Sequence, residues 1–294
     1  MPTSAGAGSL ILRVVSAGLL ALLVGCARGG QNTEQTALNP VAAVASAESK
    51  LTSASAQTVQ LRGTTSLAGL GDVHLTGAEQ FAPSVAADLK MTFSGSQLAA
   101  MSNGPMEIIL KDNIGYLNLG TLGAQLTNGK QWLKLDLSSV ATLPGSTGSL
   151  SSLSKVNQNA DPAQQMRLLL ASGDLKRVGT ETVDGVKSTH YTGTVDPVRV
   201  VQQHAGSNLT PDDVSKLKDA LQQAGITSEN IDLWLSQATS LPVEIKVSAN
   251  STTAGQIATD LHFSDWGRPV SITAPPDDQV VDISQLGTLG AGRP

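Results

Sequence analysis

Apolar positions fall along this chain in three patterns. Residues 14–24 form a short apolar run preceded by Arg13 and followed by Gly25 and Cys26. That run falls short of the ~20 residues a membrane-spanning helix needs, and no later stretch comes closer. Further along, the period is two. Across residues 85–93, Val85, Ala87, Leu89, Met91 and Phe93 share one side, with Asp88, Lys90 and Thr92 on the other. Residues 131–137 repeat this, with Leu133, Leu135 and Leu137 opposite Trp132, Lys134 and Asp136. Such alternation predicts half-buried strands. Strands are also predicted at 60–67, 73–81, 106–110, 116–119, 178–183, 186–195, 231–236, 243–249, 256–263 and 270–273. Two pairs flank strong hairpin turns, Asp112-Asn113 and Asp184-Gly185, because both tolerate the left-handed backbone that such turns demand.

The third pattern is helical, and each helix has a marked start. Asn39-Pro40, Asp161-Pro162, Asp196-Pro197 and Thr210-Pro211 each place a capping side chain before a proline at the first helical position. The first helix is expected to run to about Ser53, with Val41, Val44, Ala45 and Leu51 towards one side. Stops are expected at Gly173, Gly206 and Gly225 for the other three. Some ten or more strands in hairpin order, with helices inserted as blocks, predict an α+β class built on an antiparallel sheet.

The N-terminal run has the length of a signal-peptide core, with a positive flank ahead of it. Leu23-Val24-Gly25-Cys26 matches the bacterial lipobox, in which the cysteine thiol takes a diacylglycerol and cleavage follows just before it. Residues 1–25 are thus read as a lipoprotein signal peptide, with Cys26 as the lipid attachment site. Residues 26–37 are small and polar and read as a flexible tether. Residues 38–284 are read as a single domain, and the glycine-rich 285–294 as a frayed tail. The expected location is the extracytoplasmic face of a bacterial cell membrane, anchored rather than spanning.

Composition narrows the chemistry. The net charge of −5 argues against nucleic acid as a partner. With Cys26, the only cysteine, acylated, no thiol remains for a disulfide, and stability must come from an aliphatic core. His74, His190, His204 and His262 lie far apart and form no metal-ligand spacing, so no metal site is expected. No GxSxG elbow, phosphate loop or dinucleotide motif is present, and no cofactor or catalytic residue is assigned. Asp212-Asp213 opens a predicted helix and Asp277-Asp278 follows a Pro-Pro turn, so both pairs read as structural. The Gly/Ser-rich stretch 144–154 reads as a loop at the rim of the sheet.

Two interiors fit these elements. In an ordinary α+β domain the helices fill one face of the sheet. If the sheet curls into an incomplete barrel, an apolar groove suited to acyl chains opens between it and the helices.

The order of elements favours the second. The hairpin at 183–195 (VDGVKSTHYTGTV), the segment 231–243 (IDLWLSQATSLPV), Phe263-Ser-Asp-Trp-Gly267 with Ala274-Pro-Pro276, and the stretch 116–136 resemble motifs of the actinobacterial LppX/LprG-type lipid-binding lipoproteins, LolA-like in fold. The resemblance spans residues 40 to about 282. It implies a curled antiparallel half-barrel with helices over its concave face, holding lipid or lipoglycan acyl chains, with lipid transport as a role, and no catalytic residues. The helix predicted at 211–224 and the Gly/Ser run depart from the best-known members.

The expected cavity lining is Leu89, Met91, Leu133 and Leu135 on the sheet, with Met166, Leu169, Leu170, Val200 and Val201 on the helices. Expected partners are the membrane, through lipidated Cys26, and a lipid or lipoglycan ligand. The competing reading is an envelope interaction or sensory module with a filled core, bound to an envelope protein; a hydrolase ranks third.

Overall fold

The computed structural model describes residues 39–51, 56–95, 104–118, 129–137, 162–196, 228–252 and 255–285, with the single positions 99, 120 and 225. The predicted signal peptide, Cys26, the tether, the Gly/Ser stretch, the helices expected after Asp196 and Thr210 and the tail lie outside these residues.

Twelve strands form one sheet. In chain order they are β1 (Thr58–Leu67), β2 (Gly71–Gln80), β3 (Ala86–Ser94), β4 (Met106–Lys111), β5 (Ile114–Asn118), β6 (Trp132–Asp136), β7 (Lys176–Val183), β8 (Val186–Val195), β9 (Glu229–Ser236), β10 (Pro242–Ser251), β11 (Gly255–Ser264) and β12 (Val280–Asp282). Their order across the sheet is β12-β6-β5-β4-β3-β2-β1-β11-β10-β9-β8-β7. Every neighbouring pair is antiparallel except β12, which runs parallel to β6. The sheet is open and curled, and the class is α+β, as the element order predicts.

The turns behave as their residues require. Asp112 and Asn113 have φ of 51° and 62°, and Asp184 and Gly185 have 50° and 79°. Positive φ at both central positions matches the right-handed twist of the flanking strands. Register slips between Arg177 and Gly179, and between Pro242 and Glu244, add local twist.

Among the described residues, two helices lie against the concave face. Helix α1 (Pro40–Leu51) begins as predicted, with the Val41 N–H donating to Asn39 Oδ1 at 3.0 Å. It turns Val44, Ala47 and Leu51 inward. Val41, expected on that side, stands in the first turn at 47% exposure, and Ala47 takes its place in the packing. Helix α2 (Pro162–Ala171) buries Pro162, Gln165, Met166 and Leu169, the i, i+3, i+4, i+7 stripe of a helix packed on one side. Arg167 of α2 donates to Glu48 of α1 at 2.9 Å. The main core lies between these helices and the sheet, with Val59, Leu61, Ile231, Leu233, Ile245 and Leu261 among its sheet members.

The outer face has a second, smaller core. Ala86, Ile109, Trp132 and Ile272 are buried there, with Tyr116, Val270 and Val280 against them. The alternation had placed Trp132 with the polar residues of β6; it does face away from the helices, but the segment after β11 crosses over it. Residues 270–273, expected as a strand, form part of that extended crossing and join no ladder. Lys111 Nζ holds the crossing by donating to the Ile272 carbonyl at 2.9 Å.

Candidate functional site

The ladder registers place all four sheet residues expected to line a cavity on the concave face. One row runs across eight strands: Phe263, Leu61, Gly77, Leu89, Ile108, Leu117, Leu133 and Val281 are successive cross-strand partners. Gly77 alone interrupts its apolar side chains. The next row towards one end contains Leu261, Gly63, Leu75, Met91 and Met106. On the other side, Ala87, Leu110, Gly115 and Leu135 are partners in turn. Period-two alternation in each strand, repeated in register, therefore produces a continuous apolar surface rather than isolated core positions.

The helices finish only part of this surface. Leu89, Met166 and Leu169 belong to the main buried core, and Leu170 packs at its margin. Leu133 and Leu135 are buried on the same face, at 8% and 1% exposure, but belong to neither cluster. Met91, Phe93, Met106 and Ile108 stay half-buried. Val200 and Val201 lie outside the described residues.

Polar groups at this face are perturbed by burial. Glu229, opposite Val195 and Ala249, has its carboxyl pushed up because desolvation disfavours the charged form. Burial likewise pushes the Tyr191 phenol up, with the nearby Arg177 charge opposing it.

A cleft of about 810 Å³ opens elsewhere, at the end of the sheet where the β7–β8 and β9–β10 turns meet the last residues of β11. Its apolar lining includes Leu241, Val243, Phe263 and Trp266, while Arg62 and His262 stand among its polar groups. Trp266 is fixed by its Nε1–H, which donates to the Pro242 carbonyl at 2.8 Å, and by stacking near Phe81 and Phe263. Of the expected lining residues that are described, none reaches this cleft. It is assembled from turn ends and chain after β11, where no periodic pattern exists to expose it in the sequence.

The outer face of β8–β11 and β1 carries the charges. Asp184, at the tip of the β7–β8 turn, bridges Arg62 Nη2 at 2.8 Å and His262 Nδ1 at 2.7 Å. The ring of His190 stacks on Trp234 with centroids 4.1 Å apart, between the carboxylates of Glu181 and Asp232. His74 meets the Thr64 hydroxyl at 3.1 Å, and His204 lies outside the described residues. Asp277 and Asp278 sit in a 3-10 turn after Pro276, in line with a structural role.

No protein-family model matches the chain. Among solved structures it is similar to the lipoprotein LppX of Mycobacterium tuberculosis, with a TM-score of 0.46 and 15% identity over 80% of this chain and 98% of that one. It is also similar to LprF of Mycobacterium bovis, with a TM-score of 0.45 and 14% identity over 80% and 96% of the two chains. A Streptomyces coelicolor protein named "Putative lipoprotein SCO4650" is 24% identical over 67% of this chain and 60% of its own. An uncharacterized 31.2 kDa protein from the rplA-rplJ intergenic region of Streptomyces griseus is 30% identical over 261 residues, which is 87% of this chain and 83% of the relative. Over that span and at that identity, the chain belongs to the family of the 31.2 kDa Streptomyces griseus protein.

Proposed function

We propose that this protein is a membrane-anchored lipoprotein that binds the acyl chains of a lipid or lipoglycan on the concave face of its sheet and carries them at the outer surface of the cell membrane. The observation that supports this best is the apolar row from Phe263 to Val281, which continues well past the strands packed beneath the helices. An acyl chain is long, featureless and apolar, and such a surface matches it without needing a strong polar handle. Each methylene taken from water contributes about 0.8 kcal/mol, so a dozen or more suffice for stable capture. Anchoring rests on Leu23-Val24-Gly25-Cys26. The name of the Streptomyces coelicolor relative agrees with it.

The packing favours one location for a ligand. Leu89 and Leu169 are filled core positions and Leu133 and Leu135 are as fully buried, so the ligand surface is the half-buried stretch around Met91, Phe93, Met106 and Ile108. The test uses a Cys26→Ala chain, expected to lose fatty-acid labelling and to leave the membrane fraction. Purified from cells, it should release lipid on organic extraction, read by mass spectrometry, and bind a fluorescent long-chain fatty acid. Met91→Glu places a charge on the apolar row at a position that is not fully enclosed. It should weaken fatty-acid binding by tenfold or more while leaving the urea midpoint nearly unchanged. A parent that carries no lipid and binds no fatty acid would hand the molecule to the interaction-module reading.

A further inference from the structure

The outer face of β10 and β11 brings together groups that the lipid-binding reading does not use. Glu244 is the cross-strand partner of His262, and Lys246 is the partner of Asp260, so these four side chains form a square on one side of the sheet. Within it, His262 Nε2 lies 3.3 Å from Asp260 Oδ1 and 3.6 Å from Glu244 Oε1. The imidazole is clamped from behind, since its Nδ1 meets Asp184 Oδ2 at 2.7 Å and Arg62 holds the other Asp184 oxygen at 2.8 Å. With Nδ1 facing Asp184, the ring turns Nε2 towards two further carboxylates, and in the tautomer that donates from Nδ1 that nitrogen is a free metal ligand. Asp260 Oδ1 is itself buried and accepts no hydrogen bond, and the Glu244 side chain is only 6% exposed. Three potential ligand atoms thus converge, with Asp260 Oδ1 left without a hydrogen and Glu244 Oε1 met by the Lys246 ammonium at 2.7 Å; a cation between them would offset the cost of the unpaired oxygen.

The spacing identifies the cation. Bonds of about 2.0–2.1 Å from a tetrahedral centre set neighbouring ligand atoms about 3.3–3.5 Å apart, close to the 3.3 and 3.6 Å observed here. One imidazole with two carboxylates is a ligand set for a first-row divalent ion, whereas calcium and magnesium call for shells made wholly of oxygen. A carboxylate behind the ligating histidine is the usual device that fixes its tautomer and orientation. His262, Asp184 and Arg62 also line the cleft, which provides an entry path. We propose that Glu244, Asp260 and His262 form a binding site for a divalent first-row transition-metal ion, zinc foremost, with Asp184 orienting the imidazole.

Lys246 is the competitor. Its ammonium lies 2.7 Å from Glu244 Oε1 and 3.6 Å from Asp260 Oδ2, and 5.0 Å from the centre of the Trp234 ring. Among the described residues it supplies one of the two permanent positive charges that face these three carboxylates, the other being Arg62. At 46% exposure the Lys246 side chain can swing away when an ion arrives. The site is therefore closed by an internal cation without metal and opened by exchange with it, and this holds whether or not the concave face binds lipid.

The full-length chain in detergent, freed of metal with a chelator, is titrated with ZnCl2 against a chromophoric zinc indicator. One equivalent should bind that His262→Gln and Asp260→Asn each weaken by more than tenfold, while His74→Gln leaves it unchanged. Lys246→Gln should tighten it several-fold, and a large excess of MgCl2 should not displace it. Far-UV circular dichroism in chelator checks that each variant is folded. Zinc affinity equal in the parent and a folded His262→Gln chain overturns the site, as does ready displacement by magnesium. If His262→Gln does not fold, Lys246→Gln decides: tighter zinc binding supports the site, and unchanged or weaker binding refutes it.

Discussion

Helix α2 is seated on a position that only glycine can fill, and a pair of substitutions tests this seat. Gly193 of β8 faces the concave side, and a Cβ built there would lie 2.8 Å from Leu169 Cδ1, 2.8 Å from Ser172 Oγ and 3.2 Å from Asp174 Oδ1. Real contacts of that kind are near 3.5–4.0 Å, so Gly193→Ala must displace the side chains of Leu169 and Ser172, and Leu169 is held in the core. Overpacking of this sort costs about 1–3 kcal/mol. Leu169→Ala acts in the opposite sense. Leu169 is fully buried, and a leucine-to-alanine change in a core costs about 2–5 kcal/mol, depending on how far the surroundings collapse. In the double variant, the alanine at position 193 enters the space that Leu169 vacates. The combined loss should fall short of the sum of the two single losses by about 0.5–3 kcal/mol, the range for residues in direct contact. The assay is urea unfolding of the four proteins, with midpoint and slope both reported so that a change in the denatured state is not mistaken for stability. Additivity within about 0.3–0.5 kcal/mol would mean that α2 does not rest on Gly193 through Leu169, and the packing described for the concave face would be wrong.

Two further outcomes follow from local geometry. At Gly185, with φ of 79° and open space around its missing side chain, a valine meets backbone strain alone; Gly185→Val should cost about 1–3 kcal/mol, and an unchanged urea midpoint would refute the turn assignment. At Glu229, burial raises the carboxyl above its ordinary value, so the folded state holds a proton that the unfolded chain releases, and stability falls as pH climbs through the window between the two values. Glu229→Gln should therefore be more stable than the parent at pH 7, with the gap closing as pH drops to the ordinary glutamate range near ~4.3; thermal melts across that range would refute this if the gap stayed constant.

Local chemistry made much of the fold legible. Asn39-Pro40 states where α1 begins, and Asp112-Asn113 and Asp184-Gly185 state where two hairpins turn, because each depends on a few neighbouring atoms. Alternation in β3 and β6 likewise selected Leu89, Met91, Leu133 and Leu135 for one face. What alternation could not show is how that face is shared between filled core and open surface. Leu89 and Met91 look alike in sequence, yet α1 and α2 enclose the first and leave the second half-buried. Two other features depend on partners far along the chain. Three residues of β12 carry no period, and their place is set by β6 alone. Glu244 and His262 look unrelated until the β10–β11 register sets them side by side. Side chains that meet only across neighbouring strands have no local spacing to betray them.

An open sheet leaves two strands with unspent hydrogen-bonding capacity, and each is a place where a second molecule could add on and begin a polymer. On one side β12 occupies β6 with three residues in the parallel sense, then gives way to a 3-10 turn, leaving a newcomer almost no ladder to extend. On the other side β7 is longer, but its register slips at Val178 and it carries Lys176, Arg177 and Glu181. A visiting strand would meet a twisted, charged margin that it could not match over more than a few residues. The curl that lines the concave face with apolar side chains therefore need not cost the molecule its independence, even where many copies crowd together.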